Sequence, residues 1–255
     1  MEYGSPKASG LLRIGFIIVV VALLLTACGG DAPAPTATAP PVGGLTVGDL
    51  ADRMATAWPG VKTYRTVFTT SAHAGGTPPS SASPIASPVI GLEVIDEVIV
   101  PDRKHRIYKQ GAGASSEFIA VNGKVYARGP LSAGLKPATP ASGGWVVVDP
   151  AAVNQSTPLG ALVQSLSAPA VPPYSELSES RRNRSATNVG EVTVGDRTCT
   201  AYGIADTTAT GEPINVILAL DSAGLPCSIE TRAGGTDNIT IFTFNVPLTI
   251  NPPGT

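Results

Sequence analysis

At 255 residues, with 17 basic and 19 acidic side chains and a net charge of −2, the chain has room for a large core and no excess of either charge. That balance excludes the basic footprint of a nucleic-acid-binding domain and the tails that blocks of like charge make. Only 14 % of residues are charged, while 28 glycines and 24 prolines sit among β-branched runs, which points to a strand-rich domain with many turns.

The N-terminus carries Lys7 and Arg13, an apolar run from Ile14 to Leu25, and small residues before Cys28. This is the layout of a secretory leader. The alternative, a short transmembrane anchor, meets the objection that a span needs roughly twenty apolar residues. Leu25-Thr26-Ala27-Cys28 closely resembles the bacterial lipobox. The resemblance implies that residues 1–27 are a lipoprotein signal peptide and that Cys28 is lipidated, with palmitate or a similar acyl chain. The protein would then be held on the extracytoplasmic side of the cell membrane. Residues 28–44 contain GGDAPAPTATAPPVGG, a Pro/Ala/Thr-rich tether that cannot build a packed core. Residues 45–255 remain as the folded part. Losing Lys7, Arg13 and Glu2 with the leader leaves 15 basic against 18 acidic side chains, a net −3.

With Cys28 assigned to the lipid, Cys199 and Cys227 are left as a candidate disulfide; two buried free thiols are the alternative. A simple meander puts a strand between them. Next-nearest strands lie about 9.6 Å apart, whereas bridged Cα atoms lie about 4.4 to 6.8 Å apart. The bond therefore requires the middle strand to have bent away at that end of the sheet.

From Thr46 the pattern is helical. Thr46 and Asp49 make a capping-box-like pair before Val47, Leu50, Met54, Ala57 and Trp58, and Trp58-Pro59-Gly60 stops the run. The spacing predicts a helix over Val47–Ala57. From Lys62 the period is two: Tyr64, Thr66, Phe68 and Thr70 alternate with Arg65, Val67 and Thr69. A Ser/Pro/Gly loop (75–88) precedes strands at 89–100 and 104–109, which turn at Pro101-Asp102. Strands at 117–121 and 124–127 flank Asn122-Gly123, a strong hairpin signal. A second loop, 129–144, leads to a strand at 145–148. Thr157 as N-cap and Pro158 at the first helical position open a second helix, with Leu159, Leu162, Val163 and Leu166 on its apolar side. Residues 174–182 read as a short third helix. Strands return at 187–194 and 197–205 across Gly195-Asp196, at 214–221 and 227–232 across a turn with Gly224, and at 238–244. Helix, meander, helical insert and second meander describe one α+β domain with antiparallel neighbours.

Catalytic signals are scarce. His73 and His105 are the two histidines, and neither has a cysteine or second histidine nearby. No metal, nucleophile-elbow or redox motif occurs, so no enzyme, metal or cofactor is expected. Gly111 to Ser116 lacks the Gly-Lys-Ser/Thr of a phosphate loop and reads as a hairpin connection. Glu93 and Glu97 fall on one strand face with Asp96 opposite, which reads as solvent-facing charge. Arg181-Arg182-Asn183-Arg184 reads as a solvated helix end; contact with anionic head groups is the sharper alternative. Val94, Val98, Phe118, Val216, Leu218, Ile229 and Phe242 form a candidate inner face of the sheet. The residues alone leave a filled core and a cavity equally open.

The order of elements resembles the LolA-like fold, and more closely the lipoproteins of the LppX/LprAFG family. The likeness lies in the opening helix running into Val61-Lys62-Thr63-Tyr64-Arg65 and in the hairpin Ala120-Val121-Asn122-Gly123-Lys124-Val125-Tyr126. It extends to Leu218-Ala219-Leu220-Asp221-Ser222-Ala223-Gly224-Leu225-Pro226 and to Phe244-Asn245-Val246-Pro247-Leu248-Thr249-Ile250. The long loops at 75–88 and 129–144 and the cysteine pair depart from the family pattern. The resemblance implies a curled antiparallel sheet, an open half-barrel covered by a few helices. It also implies a cavity for acyl chains, lined by the seven apolar residues above and roofed by the helices at 47–57 and 158–166. The expected function is that of a membrane-anchored envelope lipoprotein that binds or carries lipid or another apolar ligand. The alternative is an interaction or sensing lipoprotein with a filled core.

Overall fold

Thr46 opens helix α1 (Val47–Ala57): its backbone N–H donates to Asp49 Oδ2 (2.8 Å), and its hydroxyl accepts from the Asp49 N–H (3.2 Å). This reciprocal bonding satisfies donors that a helix start leaves free. The helix buries Val47, Leu50, Ala51 and Met54, and Trp58–Gly60 tightens into a 3₁₀ turn that ends it. The computed structural model describes residues 44–72, 90–111, 113–172, 179–207, 211–233 and 235–254. Cys28, nearly all of the tether and His73 lie outside them.

Twelve strands follow: β1 (Thr63–Ala72), β2 (Ile90–Ile99), β3 (Arg103–Lys109), β4 (Ser116–Val121), β5 (Lys124–Arg128), β6 (Thr139–Pro140) and β7 (Val146–Val148), then β8 (Ala186–Val194), β9 (Arg197–Thr207), β10 (Pro213–Leu220), β11 (Pro226–Ala233) and β12 (Thr236–Phe244). Between the two sets lie α2 (Pro158–Ser167) and the short α3 (Glu179–Arg182). Asn122 and Gly123 both take positive φ (53° and 72°), the backbone that a two-residue hairpin turn requires. Thr157 caps α2 by accepting from the Gly160 N–H at 3.1 Å. β6 was not predicted; two residues in a Pro-rich stretch carry no period, and Pro140 suits an edge strand that needs no further donor.

All twelve strands belong to one open antiparallel sheet, ordered β6-β7-β5-β4-β3-β2-β1-β12-β11-β10-β9-β8. The second meander stays in sequence order, whereas in the first β7 pairs with β5 and β6 lies outside it; the two are joined in the middle by β1 pairing with β12, Tyr64 opposite Phe244. The helices pack on one face, here termed inner. α2 covers β4 and β5 through a cluster of Phe118, Ala120, Val125, Val163 and Leu166. α1 covers the other wing through Leu50, Met54, Ala186, Tyr202, Leu218 and Leu220. Val61, Tyr64 and Val98 form a third cluster, joined by Trp58 and Phe244. These clusters draw only on residues 45–244, so the stretch from Gly44 onward carries its own core.

Cys199 and Cys227 are bonded, with Cα atoms 6.6 Å apart. β10 does lie between their strands, yet it ends at Leu220, which faces Thr200 on one side and Pro226 on the other. Cys199 lies one residue beyond that point, and Cys227 is the extra residue of a bulge between Pro226 and Ser228. The bridge therefore crosses just past the end of the middle strand. With Ala219, Val192 and Val194 it seals a small apolar cluster on the outer face.

The inner sheet face as a candidate functional site

Residues directly opposite in an antiparallel pair share a face. One row runs Val125, Ala120, Lys104, Val98, Tyr64, Phe244. The next runs Ala127, Phe118, Arg106, Asp96, Thr66, Phe242. A third runs Tyr108, Val94, Phe68, Thr240, Ile229, Leu218, Tyr202, and a fourth runs Leu92, Thr70, Asn238, Thr231, Val216, Ile204. All seven apolar candidates thus share the inner face.

They do not share one environment. Phe118 (0 % exposed) and Leu218 (4 %) are solid core beneath α2 and α1, and Val98 is packed in the third cluster. Helices that pack on a sheet interdigitate with it, so the residues under them are spent on stability. Val94, Val216 and Phe242 belong to none of the clusters, nor does Phe68, which the periodicity placed on this face without singling it out. Ile229 packs only at the margin of the α1 cluster. Together with Thr66, Thr70 and Thr240 they line the middle of the inner face, between the helix-covered wings, where Phe242 is buried against Phe244 and Val94 is nearly so, while Phe68 and Val216 are half-buried. Two surface hollows of about 400 and 440 Å³ lie beside α1 instead. Their linings include Asp49, Asp52 and Arg53 in one, and Arg53, Thr200 and Asp221 in the other, and none of the seven candidates.

A polar group interrupts the apolar floor at β3. Arg106 donates from Nε and Nη2 to the two oxygens of Asp96, the latter at 2.7 Å, and from Nη1 to the Tyr108 hydroxyl at 3.3 Å. The side chains of Arg106 and Asp96 are 26 % and 23 % exposed. Burial works against the charge on Arg106, but Asp96 and Tyr108 together outweigh it and hold the guanidinium firmly protonated. Burial pushes the Tyr64 phenol up to about 12, with the Asp96 charge adding to it. Lys104 donates to the Ser165 carbonyl of α2 at 2.8 Å. Burial, then the neighbouring Arg106, lowers its ammonium from the ordinary lysine range.

These positions correct the reading of the acidic triplet as solvent-facing charge. Asp96 lies on the inner face in a two-pronged ion pair. Glu97 and Glu93 lie on the outer face, where Glu93 binds Lys109 at 2.7 Å. His105 lies on the same outer face: it is 18 % exposed, with Nδ1 at 3.0 Å from Glu97 and Nε2 at 2.7 Å from Glu117. Arg65 flanks Glu97, and Arg128 binds Glu117 and lies 4.6 Å over the Trp145 ring, completing a ladder across five strands and onto Trp145. The run at 181–184 is also paired. Arg181 and Arg184 both bind the buried Asp206, at 3.0 and 2.9 Å, and Arg182 binds Asp52 of α1 at 2.6 Å. It pins α1 to the β8–β9 edge and is not a free basic patch.

No family profile and no curated protein matches the sequence. Solved structures do. The chain is similar to the lipoprotein LppX of Mycobacterium tuberculosis at 12 % identity, over 79 % of this chain and 98 % of that one, with a TM-score of 0.40. It is similar to LprF of Mycobacterium bovis at 12 % identity, over 84 % and 99 %, with a TM-score of 0.43. The MucA/MucB complex of Pseudomonas aeruginosa matches at 14 % identity, over 79 % of this chain and 58 % of that one, with a TM-score of 0.39.

Proposed function

We propose that this chain is a membrane-tethered envelope protein that binds a lipid or other apolar ligand along the middle of its inner sheet face, with Cys28 as the lipidated anchor. One observation carries the reading: Phe68 and Val216 share a face, are only partly buried, and lie outside every cluster that the helices close. Each methylene moved from water to such a surface contributes about 0.8 kcal/mol, so an acyl chain needs no catalytic group to be held.

The filled clusters under both helices favour a second reading, an interaction module with no ligand. The two separate by experiment. A protein of residues 44–255, purified without detergent, should release lipid in mass spectrometry and take up a fluorescent fatty acid once stripped. A folded, stripped domain that takes up none leaves the interaction module as the better account. For the anchor, Cys28→Ser in the full chain should abolish incorporation of labelled palmitate and leave uncleaved precursor.

A further inference from the structure

An apolar trough is a poor place for a surplus cation. Lys104 and Arg106 alternate along β3 on the inner face, with Val98 and Ala120 beside Lys104, Phe118 beside Arg106, and Val94 one row further on opposite Tyr108. Asp96 answers Arg106 with both oxygens, and among the described residues no carboxylate answers Lys104. The spot therefore carries two cations against one carboxylate. Three of the five Arg106 N–H groups and one of the three on Lys104 have partners here. The ammonium also loses hydration through burial and feels Arg106 at close range, effects that the charge of Asp96 offsets only in part. Unpaired charge in a half-dry site is costly and clusters at functional sites. A ligand anion would use the free donors and remove the mismatch in one step.

We propose that Lys104 and Arg106 form the head-group end of the trough, so that the ligand is a single-chain amphiphile bearing a carboxylate, its chain lying over Phe68, Val94 and Val216. This rests on the reading of the inner face as a binding site and narrows it from apolar molecules to anionic ones. The Ser165 carbonyl that Lys104 now holds is exchanged for, or shared with, the carboxylate. Asp96 keeps Arg106 extended along the sheet and the Tyr108 hydroxyl steadies its other side.

The test is competition binding to the 44–255 protein with oleate, oleyl alcohol and acetate. Wild type should prefer oleate over the alcohol by about tenfold or more, the scale of one charge-assisted hydrogen bond, and should ignore acetate. Lys104→Met should bring the two oleyl compounds within about threefold of each other, and Lys104→Arg should keep the preference. Circular dichroism melts accompany each variant; the wild-type comparison stands even if one fails to fold. Equal affinity for oleate and the alcohol in wild type overturns the head-group assignment and leaves the apolar reading intact. So does a preference that survives Lys104→Met in a folded protein, and so does acetate binding as tightly as oleate. Failure of both oleyl compounds to bind defeats the binding reading itself.

Discussion

Tyr64 is 9 % exposed, and burial together with the Asp96 charge pushes its phenol up to about 12. In the unfolded chain a tyrosine titrates near 10. Below that value both states hold the proton and its full contribution is present. As pH rises above 10 the unfolded chain releases its proton first, so stability falls until pH passes about 12; a shift of this size corresponds to about 3 kcal/mol. Urea unfolding between pH 9 and 12 should therefore show a shallower decline in Tyr64→Phe than in wild type. Identical slopes would mean that the phenol is not buried. On the outer face, Glu117 joins two partners, His105 Nε2 and Arg128. Glu117→Ala removes both contacts, the His105 one largely buried and the Arg128 one half-exposed, and should cost about 1 kcal/mol in urea unfolding, less at high salt. No change at low salt would make the ladder ornamental.

At the scale of elements, the bridge between β9 and β11 is the clearest handle. It closes a separation of 28 residues, for which the chain-entropy account gives a stabilisation of about 3.6 kcal/mol. The Cys199→Ala/Cys227→Ala protein should lose about that much in urea unfolding, and unreduced wild-type domain should show no free thiol on alkylation in denaturant. Two reactive thiols would refute the bond. Which elements were legible in the sequence follows from how local their signals are. The Thr46–Asp49 box and the Asn122-Gly123 turn act within four residues, and α1 and the β4–β5 hairpin appear where those residues put them. The Asp96–Arg106 pair was also readable in principle, because residues equidistant from Pro101 face each other across β2 and β3. Composition hides it: Asp96 looks like one of three acids until the hairpin is turned. What alternation cannot say is which face the helices take, so Phe118 and Leu218 looked like Val216 although the first two are sealed core.

For the whole molecule the decisive contact is β1 with β12, between residues roughly 160 to 180 apart in the chain. Nothing local announces such a partner, and a contact this distant must meet the entropy of closing the intervening chain. Its consequence is that the sheet is joined at its middle by the first and last strands, while its edges, β6 and β8, come from mid-chain. Ending the protein at Gly235 would therefore not trim an edge. It would remove Phe242 and Phe244 from the inner face, where they stack on each other and Phe244 packs against Trp58 and Tyr64. It would also split the sheet and expose β1 and β11 as two long unpaired edges, the kind that associate with other chains. The truncated protein should lose its cooperative melt in circular dichroism and elute as aggregate in size exclusion. Replacing Thr139 and Pro140 by glycine, at the true edge, should leave the melt intact and change stability by about 0.5 kcal/mol or less. A monomeric, cooperatively melting 44–235 fragment would show instead that each meander stands alone. In that case the middle of the inner face would be a junction between two units, and the ligand trough across β1 and β12 would have no rigid floor.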